Sequence, residues 1–304
     1  MRIKNGISDL LVDIVKSLGE DYAINTYCDD LLVEIIYKNQ KRMLIYRYNF
    51  PNNNDSIVKL CNDKSACSEF FYNHQIPCVE HFMIDEEADE ENIRELCDAL
   101  GYPIILKDNN GTCGQNVYRL MNFERVMHNA KKLWEKNKNV SICAEEKVAD
   151  EYRLIFYDGE MLLCYKKLIP FVVGDGVSNI IDLMKDKGFD VKNDRRQYEV
   201  DYALKLSKGV RQNLTWKHNL CWGSTPFLIK DPDPAMVDLA QKAIYTLGLK
   251  FCSVDIFKLK SGYYKILEVN GGVMMKYFAQ CKSVNGYKLA FDIYKNAILK
   301  FFES

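Results

Sequence analysis

The chain has 304 residues, 48% of them hydrophobic, which is enough apolar material for two or three lobes with real cores and shows no compositional mark of disorder. The formal net charge is -1, with 41 Lys and Arg interspersed among 42 Asp and Glu. No basic stripe stands out that could track a phosphate backbone, so nucleic acid is not an expected partner.

No apolar run reaches the roughly 18–20 residues that a membrane crossing needs. The N-terminus carries Leu10, Leu11, Ile14, Val15 and Leu18 at helical spacing, but acids interrupt it and it lacks the apolar core of a signal peptide. A cytoplasmic protein, with no membrane partner, is the expectation. The 11 cysteines never form a C-x-x-C pair. Contexts such as ELCDAL and KFCSVDIF suit reduced thiols used as small core residues, and no zinc site is expected.

After the first helix, DLLVEIIYKNQKRMLIYRYNF (30–50) reads as two strands around Lys38-Asn39-Gln40. It contains no glycine-rich strand-to-helix turn, which argues against a dinucleotide fold. A helix begins near Ser56, and a second runs to about His74, ahead of Pro77. The strand HFMI leads to a helix with Asp89 as its cap, Gly101 past its end and Pro103 beyond. Residues 103–120 then read as strand, glycine loop, strand, followed by a helix over 122–137 and a strand in SICAEEKV (141–148). EYRLIFYDGEMLLCYKKL (151–168) reads as a hairpin turning at Asp158-Gly159. The alternation over about 80–170 describes a small α+β lobe. Next come a tight turn into a helix capped by Ser178, a polar run at 186–197 expected to be mobile, and a helix with Asp233 as cap and Pro234 at its first position. A hairpin follows, and a final helix presents Ala290, Ile293, Tyr294, Ala297, Ile298 and Phe301.

The chemistry is concentrated in three places. In SVDIFKLKSGYYKILEVN (253–270), a two-residue turn at Ser261-Gly262 puts Asp255 opposite Glu268, with Asn270 on the same face. Facing carboxylates repel unless a cation sits between them, and an oxygen-only set with room for water and phosphate suits Mg²⁺. The alternative is a solvated edge where both acids pair with lysines. In LKDNNGTCGQNV (106–117), Lys107 ends an apolar strand, and Gly111 and Gly114 let backbone N–H groups approach phosphate, although an ordinary hairpin turn has the same composition. The loop fits neither the P-loop nor the Rossmann fingerprint. In AEEKVADEYR (144–153), backbone near Glu145 to Val148 can pair with an adenine edge while Glu151 accepts from ribose hydroxyls; alone, it is a charged loop.

Taken in order with Lys64, PFVVGDG (170–176) and NLCWG (219–223), these pieces resemble the ATP-grasp superfamily. The likeness is to its carboxylate-amine ligases, typified by cyanophycin synthetase and the ligase module of bifunctional glutathione synthetase, and it covers roughly residues 56–280. The resemblance implies an α+β ATP-grasp fold, two α+β lobes clasping ATP after a short N-terminal α/β segment. Its parts would be residues 1–60, then linking helices and the small lobe over 61–170, then a C-terminal lobe with the metal site over 171–304. Lys64 and Lys107 would hold the phosphates under a flap at Gly111 to Gly114. Glu145, Lys147 and Val148 would form the adenine hinge and Glu151 would hold the ribose. Arg153, Lys167 and Asn219 would be catalytic, and Asp255, Glu268 and Asn270 would bind Mg²⁺, with Mn²⁺ as an alternative. The flap reads DNNGTCG where many relatives have Lys-Pro and a longer glycine run.

The expected activity is ATP-dependent formation of an amide between a carboxylate, activated as an acyl phosphate, and an amine, both small molecules such as amino acids or short peptides. A ligase modifying a ribosomal peptide or carrier protein, and a nucleotide-binding pseudoenzyme, are the alternatives, and a homodimer is left open. Arg195, Arg196, Arg211 and Lys217, with the apolar GGVMMKYF segment, come late enough in the chain to line an acceptor pocket; loop arginines in solvent and core methionines at Met274 and Met275 are the bland readings.

Overall fold

The computed structural model describes residues 7–189, 191, 198 and 200–303, so Arg195 and Arg196, with most of the expected mobile run, lie outside the described residues. The chain divides into two compact units, residues 1–165 with 228–304, and residues 166–227.

In the first unit, α1 (Ser8–Leu18) buries Leu10, Leu11, Ile14 and Val15, the stripe its spacing dictates. It lies against β1 (Tyr22–Tyr27) and the C-terminal helix. β1, β2 (Leu32–Tyr37) and β3 (Lys41–Tyr46) form an antiparallel sheet, so the expected pair of strands is a trio. β1 escapes sequence reading because YAINTY is largely exposed and has no buried face to alternate; the ladder to β2 holds it.

α2 (Asp55–Asn62) and α3 (Lys64–Asn73) meet at Asp63, whose side chain caps α3. A four-stranded sheet follows in the order β4 (Phe82–Ile84), β7 (Val140–Ala144), β5 (Ile104–Asp108), β6 (Val117–Leu120). It shares a core with α4 (Glu90–Leu100) and α5 (Phe123–Trp134) through Ile93, Cys97, Leu106, Val126, Leu133 and Ile142.

β8 (Val148–Tyr157) and β9 (Glu160–Leu168) belong to another sheet, not to the preceding lobe as the sequence alternation suggests. Adjacent strands there run β9, β8, β13 (Phe251–Leu259), β14 (Tyr264–Asn270). β8 is drawn in because its Leu154 and Phe156 match Val254 and Cys252 across an antiparallel ladder. These side chains, with Ile256 and Val269, pack against Met236, Ala240 and Ile244 of α7 (Pro234–Leu247). Each large apolar side chain so buried contributes roughly 1.5–3 kcal/mol. By the period of two, the opposite face of the sheet receives Glu151, Arg153 and Asp255. α8 (Lys276–Ala279) and α9 (Gly286–Glu303) close the chain, and Phe302 rather than Phe301 joins the buried face of α9.

In the second unit, β10 (Phe171–Val173) pairs with β11 (Arg211–Asn213), and β12 (Thr225–Leu228) leads back out. α6 (Ile180–Asp186) buries Ile180 and Met184 in a core with Val172, Leu206 and Leu214. Its cap is Asn179, which accepts from the Asp182 amide, and not Ser178, whose hydroxyl turns back to Asp175. Cys61, Cys67, Cys78, Cys97, Cys143, Cys164 and Cys252 are buried free thiols. Among the described residues no helix is long and apolar enough to cross a membrane.

Candidate active site

Asp255 stands opposite Glu268, as the hairpin reading expects, but by another route. The turn has three residues, Lys260, Ser261 and Gly262, closed by the Leu259 amide donating to the Tyr263 carbonyl at 2.8 Å. The pairs next to it, such as Ile256 with Ile266, are therefore one residue out of step with the expected register. Leu267 is an extra residue in β14, and this bulge restores the phase. It explains how Ile266 and Val269, three positions apart, are both buried in the core while Glu268 lies between them on the other face.

Arg153 on β8 faces Asp255 from the other side. Its Nε donates to Oδ1 at 2.7 Å and its Nη2 to Oδ2 at 2.6 Å, a bidentate grip on a carboxylate that is 1% exposed. The same Nη2 lies 3.8 Å from Glu268 Oε1, which also accepts from Asn270 Nδ2 at 3.4 Å. Burial alone would lower the Arg153 pKa, but the Asp255 carboxylate reverses this and holds it well above the ordinary arginine value. Three adjacent strands thus present cation, acid and acid in a row. Among the described residues no three His, Cys, Asp or Glu converge, so the oxygen donors here are two carboxylates and the Asn270 amide. That donor set fits a hard divalent cation that takes its remaining ligands from water and phosphate.

The two lysines lie nearby in the same unit. Lys64 and Glu268 line one small cavity between α3 and β14. Burial depresses the Lys64 ammonium pKa; Glu268 opposes that effect and Lys107 adds to it. Lys64 Nζ donates to the carbonyls of Asn109 at 3.0 Å and Gly111 at 2.8 Å, so it grips the glycine loop itself. Gly111 has no room for a side chain, since a Cβ would come within 2.9 Å of Asp108 Cβ, and Gly114 sits at φ +64°. Lys107 is 8% exposed, and its Nζ lies 3.0 Å from Nε2 of His81.

The remaining expected residues are placed as follows. The Glu145 carboxylate is held by Arg119 of β6 at 2.6 and 2.9 Å, the Lys147 carbonyl accepts from the Lys260 amide, and the Val148 amide donates to the Glu146 carbonyl. Glu151 is buried on β8, two residues from Arg153 and on the same face. In the second unit, Lys167 is 5% exposed with its carbonyl accepting from His218 Nδ1, and Asn219 starts a short 3-10 turn, its Oδ1 accepting from Cys221 Sγ.

Two residues here went unassigned in the sequence. Asn109 is fully buried; its Oδ1 accepts from the Ser65 amide at 3.0 Å and its Nδ2 donates to Asp63 at 2.7 Å, fixing the loop to the start of α3. His81 looks in the sequence like the first residue of an apolar strand, and only a polar side chain leading HFMI hints at a role.

No family model matches the chain. Over 222 residues, 66% of this chain, it is 25% identical to cyanophycin synthetase from Trichormus variabilis and equally to that from Nostoc sp.. The match spans 24% of those proteins, so the chain covers about a quarter of the length of the curated relatives it matches. Among solved structures, a bifunctional glutathione synthetase from Pasteurella multocida superposes with a TM-score of 0.57 at 14% identity, over 93% of this chain and 42% of that one. A D-alanine–D-alanine ligase from Bacillus anthracis gives 0.53 at 16% identity, over 81% and 70%, and the same ligase complexed with ATP gives 0.51 at 16%, over 81% and 69%.

Proposed function

The chain has the ATP-grasp fold of these ligases, an α+β architecture, and on that premise we propose that it is an ATP-dependent, ADP-forming ligase joining a carboxylate to an amine. The observation that carries this reading is the contiguity of charge in one unit. Lys64 grips the glycine loop and lines a cavity with Glu268, and Glu268 neighbours the Arg153–Asp255 pair.

Lys64 and Lys107 hold the phosphate oxygens, with the backbone of Gly111 to Gly114 over them. The segment Glu145, Lys147 and Val148 lies along the base, and Glu151 accepts from the ribose. Asp255, Glu268 and Asn270 would hold Mg²⁺ or Mn²⁺, which when bound neutralises charge on the phosphoryl oxygens. A substrate carboxylate oxygen attacks the γ-phosphorus, the bond to the β,γ-bridging oxygen breaks, and ADP leaves with that electron pair. The amine nitrogen then attacks the acyl carbon, the carbon–oxygen bond to phosphate breaks, and the nitrogen gives up a proton. No covalent enzyme nucleophile is needed, only positioning and cationic stabilisation of spread charge. Arg153 holds the Asp255 carboxylate in place, and it keeps, with Lys167 and Asn219, the catalytic assignment that the resemblance gives them.

The test is ADP release with Mg²⁺ across pools of amino acids, polyamines and short peptides, with product masses read in parallel. ADP that appears only with one carboxylate–amine pair, and a product lighter than their sum by one water, is the expected result. Turnover only with a ribosomal peptide or carrier protein would move the acceptor to that class, and no binding of Mg-ATP would overturn the reading.

A further inference from the structure

We propose that His81 is a positioning residue that aims the Lys107 ammonium at a nucleotide phosphate without neutralising its charge. This rests on the nucleotide-binding reading above. His81 is 5% exposed and precedes β4. Its backbone is tied to α3, the amide donating to Ser68 Oγ at 3.0 Å while that hydroxyl donates to the Ser65 carbonyl at 2.9 Å. From this anchored backbone the ring reaches Lys107, with Nε2 3.0 Å from Nζ.

An ammonium has donors only, so Nε2 must offer its lone pair and the ring proton must sit on Nδ1. That nitrogen makes no hydrogen bond of normal geometry. Burial first, then Lys107 and Lys64, hold the imidazole well below its ordinary pKa, so the ring is neutral and accepts. A carboxylate at this position would pair with the ammonium and compete with the nucleotide for its charge, whereas a neutral imidazole accepts a hydrogen bond and leaves the charge available. The carboxylate next in sequence is committed elsewhere: Asp108 Oδ2 lies 3.3 Å from Lys138, and its Oδ1 accepts from the Asn110 amide.

The experiment is titration of Mg-ATP against the wild type, His81→Leu, His81→Gln and Lys107→Met, and against His81→Leu in the Lys107→Met background. His81→Leu should weaken binding about tenfold, the size of a charge-assisted hydrogen bond, and Gln, whose amide oxygen can accept, should recover most of it. With Lys107→Met the histidine substitution should change affinity less than about twofold, because its effect runs through the lysine. An equal loss in both backgrounds would reduce His81 to a packing residue, and no loss in either would end the proposal. If the wild type binds no Mg-ATP, the ligase reading fails. The pair is then judged in the nucleotide-free protein by the ¹H–¹⁵N ammonium signal of Lys107, which should exchange slowly in the wild type and fast in His81→Leu; equal exchange in the two would refute the pairing itself.

Discussion

Asp255 is 1% exposed and its carboxylate is gripped by Arg153 at 2.6 and 2.7 Å, so removing the guanidinium leaves a charge where water reaches it poorly. Arg153→Leu should destabilise the protein by about 3–5 kcal/mol in urea unfolding, and adding Asp255→Leu should recover most of that, because an absent pair costs far less than a broken one. Glu268 is different. Its side chain is 29% exposed and only 3.8 Å from the guanidinium, so Glu268→Ala should leave stability within about 1 kcal/mol while lowering ligase turnover by about a hundredfold or more. Near-normal turnover would remove Glu268 from the metal assignment. At this scale the sequence was informative where residue type carried the chemistry: Asp255, Glu268 and Asn270 are legible as oxygen donors on one strand pair. His81 and Asn109 were not, because their roles come from partners distant in sequence, Lys107 for the first and Asp63 and Ser65 for the second.

The α2–α3 junction concentrates several jobs in two residues. Asp63 caps α3 through the Ala66 amide at 3.0 Å and also accepts from Ser65 Oγ and Asn109 Nδ2, while Lys64, the next residue, reaches the glycine loop. Burial pushes the Asp63 carboxyl up, but these hydrogen bonds outweigh it and hold the pKa below its ordinary value. A carboxyl depressed in the folded state makes the unfolded chain bind more protons as pH falls toward about 4, so its contribution is complete above that range and lost through the lower folded value. Asp63→Ala should cost roughly 1–2 kcal/mol near neutral pH, and the difference from wild type should shrink in unfolding series taken down to pH 3. The misread elements share one physical cause: local composition underdetermines a choice that neighbours make. Ser178 and Asn179 are both competent caps, and Asp175 settles the matter by taking the serine hydroxyl. The Ser261-Gly262 turn and the Leu267 bulge are errors of opposite sign, which is why the facing of Asp255 and Glu268 came out right.

For the whole molecule, a ligand that binds only the folded state stabilises it by mass action. Mg-ATP at a hundred times its Kd should add about 2.7 kcal/mol, visible as a raised thermal midpoint that Lys107→Met largely abolishes. The ATP-grasp architecture was readable from the order of its motifs, whereas the sheet that takes β8 and β9 was not, since pairing with β13 reaches across about 100 residues of chain. That long reach has a further consequence. The Ile229 amide donates to the Cys164 carbonyl at 3.0 Å, so the chain leaves the first unit and returns to it at nearly the same point. Residues 166–227 are in that sense a cassette with a single seam. Lys64, Lys107, Asp255 and Glu268 all lie outside that stretch, so insertions and substitutions within it change the gene without touching any of the four.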